Sequence, residues 1–134
     1  MKQNQNLRRQ PVLVGNSFPL SLVRRPVAIR PRPMEELRAL LAERGAASFW
    51  GHASTLARVS AALGCDLTPD TSRPALRLND SLLPELDGVA YDQCWVVSAD
   101  FIPGYRPAVG EEVPPEKITG WQVLCVDWQE KNLV

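Results

Sequence analysis

Apolar residues along the chain come in short blocks, and the spacing within each block predicts a different element. Val12 to Gly15 is a continuous apolar run closed by Asn16-Ser17-Phe18-Pro19, as expected of a buried strand entering a turn. Val27 to Arg30, held between Pro26 and Pro31, reads as a second short strand. From Pro33 the spacing becomes helical: Met34, Leu37, Leu40 and Leu41 recur on one face. Glu35 and Glu36 lie in the first turn, where the helix dipole favours acid, and Gly45 follows Arg44 as a stop. Ser48, Phe49 and Trp50 form a brief extended piece before a second helix from about His52 to Leu63, ended by Gly64. Leu56, Val59 and Leu63 share one face of it, and Ala57, Ala61 and Ala62 permit close packing.

After a loop over 66–74, Ala75 to Leu78 predicts a strand and Cys94 to Ala99 a buried one. The segment Ile102 to Gly110 reads as a loop, Pro114 to Ile118 as one helical turn, and Trp121 to Trp128 as a last strand, apolar on both faces. Nothing repeats, and strands and helices intermix without regular alternation. The fold class this predicts is α+β: a mixed β-sheet of about five strands flanked by helices, in a single domain.

Composition sharpens that picture. A chain of 134 residues suits one domain, taken as 12–134 behind a disordered polar tail over 1–11. No apolar run approaches the ~18 to 20 residues needed to span a bilayer, and the N-terminal region is too interrupted for a signal peptide. The expectation is a cytoplasmic protein with no membrane partner. Three cysteines, Cys65, Cys94 and Cys125, form no close pair and suit buried positions better than a disulfide framework.

The net charge is zero, which argues against a binder of long nucleic acid. Its distribution is uneven: residues 1–32 hold seven basic side chains and no acidic one, whereas residues 65–134 hold twelve acidic and five basic. That leaves two readings open, a local positive surface for a small anion or an ordinary solvated face.

Phosphate-binding loops, nucleophile elbows and dinucleotide fingerprints are missing from the sequence, and a lone histidine cannot build a histidine-rich metal site. Any catalysis is expected to need neither metal nor cofactor. The most informative stretch is Gly51-His52-Ala53-Ser54-Thr55, where an extended piece turns into a helix. Bare amide hydrogens of a first helical turn receive a phosphate readily; Gly51 lets it approach, and Ser54 and Thr55 add hydroxyl donors. A helix N-terminus disfavours imidazolium and a bound phosphate favours it, so His52 is a candidate general acid or base near neutrality. The alternative is a histidine that starts a helix and hydrogen-bonds locally.

The order Val12-Leu13-Val14-Gly15-Asn16-Ser17-Phe18, a helix, Gly51-His52-Ala53-Ser54-Thr55, Leu63-Gly64, then Arg73 before Ala75-Leu76-Arg77-Leu78 resembles the viral anti-CRISPR ring nuclease family and its cellular relatives in type III CRISPR systems. The resemblance spans roughly residues 12–128. It implies a homodimer that binds cyclic oligoadenylate, specifically cyclic tetra-adenylate, in a pocket across its interface and cleaves it without metal. The family's histidine matches His52, its first-loop asparagine Asn16, and its late arginine Arg106. Ser17 falls beside Asn16 in the ligand-binding loop. Two positions depart from the pattern: Val109 stands where the family places a glutamate, and Ser98 where it places a glutamine. The loop between Ser98 and Arg106 is also longer than usual; Glu111 and Glu112 are candidates for a displaced carboxylate.

Tyr105, beside Arg106, is the preferred candidate for stacking on a base; Trp50, Trp95, Trp121 and Trp128 suit core packing better. Arg24 and Arg25 suit a solvated loop better than phosphate contact. Three functions stay open: a ring nuclease, a cyclic-nucleotide-binding module that sequesters without cutting, and an interaction protein that keeps only the fold.

Overall fold

The computed structural model describes residues 10–16, 20–49, 56–64, 76–108, 111 and 113–129. Five strands form one mixed sheet: β1 (Val12–Gly15), β2 (Val27–Pro31), β3 (Ala46–Ser48), β7 (Gln93–Phe101) and β8 (Ile118–Trp128). Their spatial order is β2-β8-β7-β1-β3, with β1 parallel to both β3 and β7 and β8 antiparallel to its two neighbours. Two helices, α1 (Met34–Arg44) and α2 (Leu56–Leu63), complete the α+β fold expected from the sequence. A second, three-stranded antiparallel sheet joins β4 (Arg77–Leu78), β5 (Pro84–Leu86) and β6 (Val89–Ala90).

Where β1, β7 and β8 lie side by side, as over residues 12–14, 94–97 and 123–126, they are apolar because both faces are covered. On one face Val12, Val14, Trp95, Val97, Val123 and Cys125 pack against Leu37 and Leu41 of α1 and Val59 and Leu63 of α2. On the other face Leu13, Cys94, Val96, Val126 and Trp128 meet Leu22, Phe49, Leu86 and Tyr91. Alternate residues of each strand thus point to opposite cores. Both helices cover the same face, and the small sheet covers the other.

Helix α1 begins after Pro33 without a side-chain cap and ends at Gly45, whose φ of 77° directs its N–H to Leu41 O. Arg38 of α1 donates twice to Ala62 O near the end of α2, satisfying a terminal carbonyl with a cation. The β5–β6 hairpin, absent from the expectation, turns on Asp87-Gly88, both at positive φ (52° and 81°), as a two-residue primed turn requires.

Strands β7 and β8 run beyond the lengths expected of them. Asp100 pairs with Gly120 and Phe101 with Ile118, past the last residues of β1. These outer residues pair only with each other as a two-stranded ribbon, so burial leaves no hydrophobic run to mark them. Cys94 and Cys125 are buried as expected, and burial pushes both thiols up to about 12.

Candidate functional site

Because β1, β3 and β7 are parallel, their carboxyl ends share one end of the sheet. Asn16 leaves β1 there, the chain to α2 leaves β3 there, and the loop bearing Tyr105 and Arg106 leaves β7 there. Crevices outside the carboxyl ends of parallel strands are common ligand sites in α/β sheets.

The first two exits are locked together. Phe49 N donates to Val14 O at 2.9 Å, carrying the β1–β3 pairing one residue past Ser48. The Phe49 ring lies directly on Gly15, where any Cβ would overlap it. Gly15 is therefore required by close packing. Its effect is to fasten the end of β1 to the residue that follows β3.

The third exit starts farther out. Gly15 is level with Val96, and β7 continues five residues beyond it, about 16 Å at the usual strand rise. The loop then closes on itself and returns. Ile102 N donates to Lys117 O, Tyr105 N to Ile102 O, and Glu111 N to Ala108 O. Val113 is fully buried, and its carbonyl accepts from Arg58 Nε of α2 at 2.9 Å. The loop is thus brought back against α2, the helix that follows the 50–55 link.

Glu111 organises this loop. One carboxylate oxygen accepts from Tyr105 Oη and the other from Ala108 N, both at 2.9 Å. Those bonds, the backbone one foremost, hold its carboxyl below the usual glutamate range. Tyr105 also meets Phe101 edge-on at 5.5 Å between ring centroids, and Lys117 Nζ lies 5.5 Å from the Tyr105 ring centre. Its phenol pKa is raised, by partial desolvation first and by Glu111 second. Arg106 is exposed in this loop.

His52, Gly51, Ser54, Thr55 and Ser17 lie outside the described residues, as do Trp50, Cys65, Val109 and Glu112. Ser98 is exposed on β7, opposite Gln122 of β8, whose amide donates to Asp100 Oδ1 at 3.1 Å. Trp95 and Trp128 are core residues, their indole N–H groups donating to Gln93 Oε1 and Leu22 O. Arg25 donates to Gln129 O and Ser81 O, joining the chain end of β8 to the small sheet. Two cavities bounded by described residues sit at the opposite end of the large sheet, around Arg44 and Gln93.

The fold defines an α+β protein in which three connections leave one end of a mixed sheet. Among solved structures the chain is similar to B116 of Sulfolobus turreted icosahedral virus, 18% identical, with a TM-score of 0.56, covering 89% of this chain and 99% of that one. At that identity the likeness establishes the fold alone. No family model and no curated protein matches the sequence. Among the described residues, no helix is long and apolar enough to cross a membrane.

Proposed function

We propose that the protein is a metal-independent ring nuclease that binds cyclic oligoadenylate, cyclic tetra-adenylate first among them, as a homodimer. The observation that carries this reading is the common carboxyl end of β1, β3 and β7, from which the segments holding Asn16, His52 and Arg106 all depart. The sequence resemblance to viral ring nucleases and the fold likeness to a viral protein support it independently. In the proposed reaction a ribose 2′-OH gives its proton to water and attacks the adjacent phosphate in line, closing a 2′,3′-cyclic phosphate as the bond to the 5′-oxygen breaks. His52 protonates the departing 5′-oxygen, and Arg106 neutralises charge on the phosphoryl oxygens. Asn16, Ser17, Gly51, Ser54, Thr55 and Tyr105 hold the ring, and two such cuts per ring release two linear di-adenylates, each ending in a 2′,3′-cyclic phosphate. Destroying the ring would switch off type III CRISPR signalling.

A second reading, a module that sequesters the ring without cutting it, is favoured by Glu111. Both of its carboxylate oxygens are already bonded within the loop, so it is poorly placed to replace the carboxylate missing at Val109. One experiment separates the two. The purified protein is incubated with cyclic tri-, tetra- and hexa-adenylate in chelator and the products are resolved. The nuclease reading expects cleavage that falls about 10²- to 10⁴-fold in His52→Ala while ring binding survives. Tight binding without product supports sequestration, and failure to bind any ring ends both.

A further inference from the structure

A groove of about 390 Å³ lies on the helix-covered face of the large sheet, at the end opposite the candidate ring site. Arg30 and Arg32 border it from β2 and the residue after it, Glu36 and Arg44 from α1, and Asp127 from β8. Buried Trp95 and Cys125 contribute to its floor. Three guanidiniums thus face two carboxylates, leaving one positive charge uncompensated.

The charges are not used equally. Arg32 Nε and one terminal nitrogen both donate to Glu36 Oε1, so that pair is closed. Asp127 is engaged by neutral donors instead: Gln93 Nε2 reaches Oδ1 at 2.9 Å, and Cys125 Sγ lies 3.9 Å from Oδ2. Arg44 borders the groove from the end of α1; its Nε donates to Gln10 O, and its terminal nitrogens donate to no described residue. The Arg30 side chain makes no hydrogen bond or ion pair with any described residue. Two guanidiniums with unused donors therefore border one concavity, where a planar fork is suited to two-point contact with an oxyanion. The volume falls in the range of small-molecule sites and exceeds that of a bare ion.

The geometry points to a second ligand site, distinct from the ring end, that takes a small organic oxyanion between Arg30 and Arg44. A phosphate monoester of nucleotide size fits best, its body lying over Leu40 toward the Trp95 floor; a carboxylate would meet the same donors. This site does not depend on the nuclease reading.

Calorimetric titration of the full chain tests it with adenosine monophosphate, glutarate and adenosine. Saturable binding of the phosphate or the carboxylate is expected at millimolar concentration or below, weakening as salt rises, with adenosine inert. Arg30→Gln should lower the affinity about tenfold or more; Arg30 is exposed on an edge strand, so the substitution spares the fold. Arg106→Gln, at the other end, should leave it unchanged. Preference between the two anions identifies the oxyanion. The proposal is overturned if neither anion saturates, if Arg30→Gln binds as the parent does, or if Arg106→Gln is the variant that loses binding.

Discussion

Strands β7 and β8 are two different structures along one pair of chains. Where they run between β1 and β2, both faces are buried, and residues such as Trp95, Val97 and Val126 are at most 1% exposed. Beyond Ser98 the same pair stands as a ribbon, with Ser98 and Gln122 facing solvent and a loop closed by Glu111. Backbone pairing is common to both halves; only the first has neighbours on every side. Stability is expected to follow burial, and the ribbon to carry what the core does not need.

Replacing tryptophan in each half is the largest test of that contrast. Trp95→Ala should cost about 3–5 kcal/mol, whereas Trp121→Ala, half-buried at the start of the ribbon, should cost less than half as much. Denaturant unfolding of both variants reads the difference, and equal losses would erase the distinction. Gly15→Ala comes next, at about 1–3 kcal/mol, because its methyl must displace the Phe49 ring. If the Gly15–Phe49 contact also sets the 50–55 link, ring affinity should fall further than stability explains; loss of stability alone would confine it to packing.

A chemical test probes the core half without mutation. With thiols pushed up to about 12, roughly one in ten thousand Cys94 or Cys125 side chains is ionised at pH 8. Iodoacetamide should leave both unmodified in the native protein, as peptide mapping would show, and label them once it is unfolded. Rapid native labelling at either site would mean that the core opens locally.

The smallest effect is expected in the loop. Glu111 has a lowered carboxyl pKa, so its contribution is complete above the ordinary glutamate value of about 4.3 and fades as pH falls through the folded value. Protection factors of the amides across 105–111, taken against intrinsic exchange at each pH, should therefore fall on acidification below that point, while those across β7's buried half stay high. Glu111→Gln should remove the pH dependence; if it persists, another group holds the loop.

The expectation of β1, α1 and the buried runs of β7 and β8 rested on dense apolar signals: four consecutive buried residues in β1, and Leu37 and Leu41 recurring beside a Gly45 stop. The β5–β6 hairpin had an equally local signature, Asp87-Gly88 between Leu86 and Val89, and went unassigned because its strands are only three and two residues long. The ribbon had none, since pairing without burial selects no residue type. At the candidate site, the sequence singled out Asn16, Tyr105 and Arg106 one by one. Glu111 as the loop's organiser, and Gly15 as the seat of Phe49, follow from contacts between distant segments.

The sequence alone determined the strands and helices that bury an apolar face, β1, α1 and the inner runs of β7 and β8 among them, because periodicity is written into each segment separately. Tertiary structure decided that β1 lies between β3 and β7, that β1, β3 and β7 point their carboxyl ends the same way, and that Arg30 and Arg44 border one groove at the other end. Those are facts about neighbours brought together by folding, and spacing along a single chain does not encode which distant residue will stand beside which.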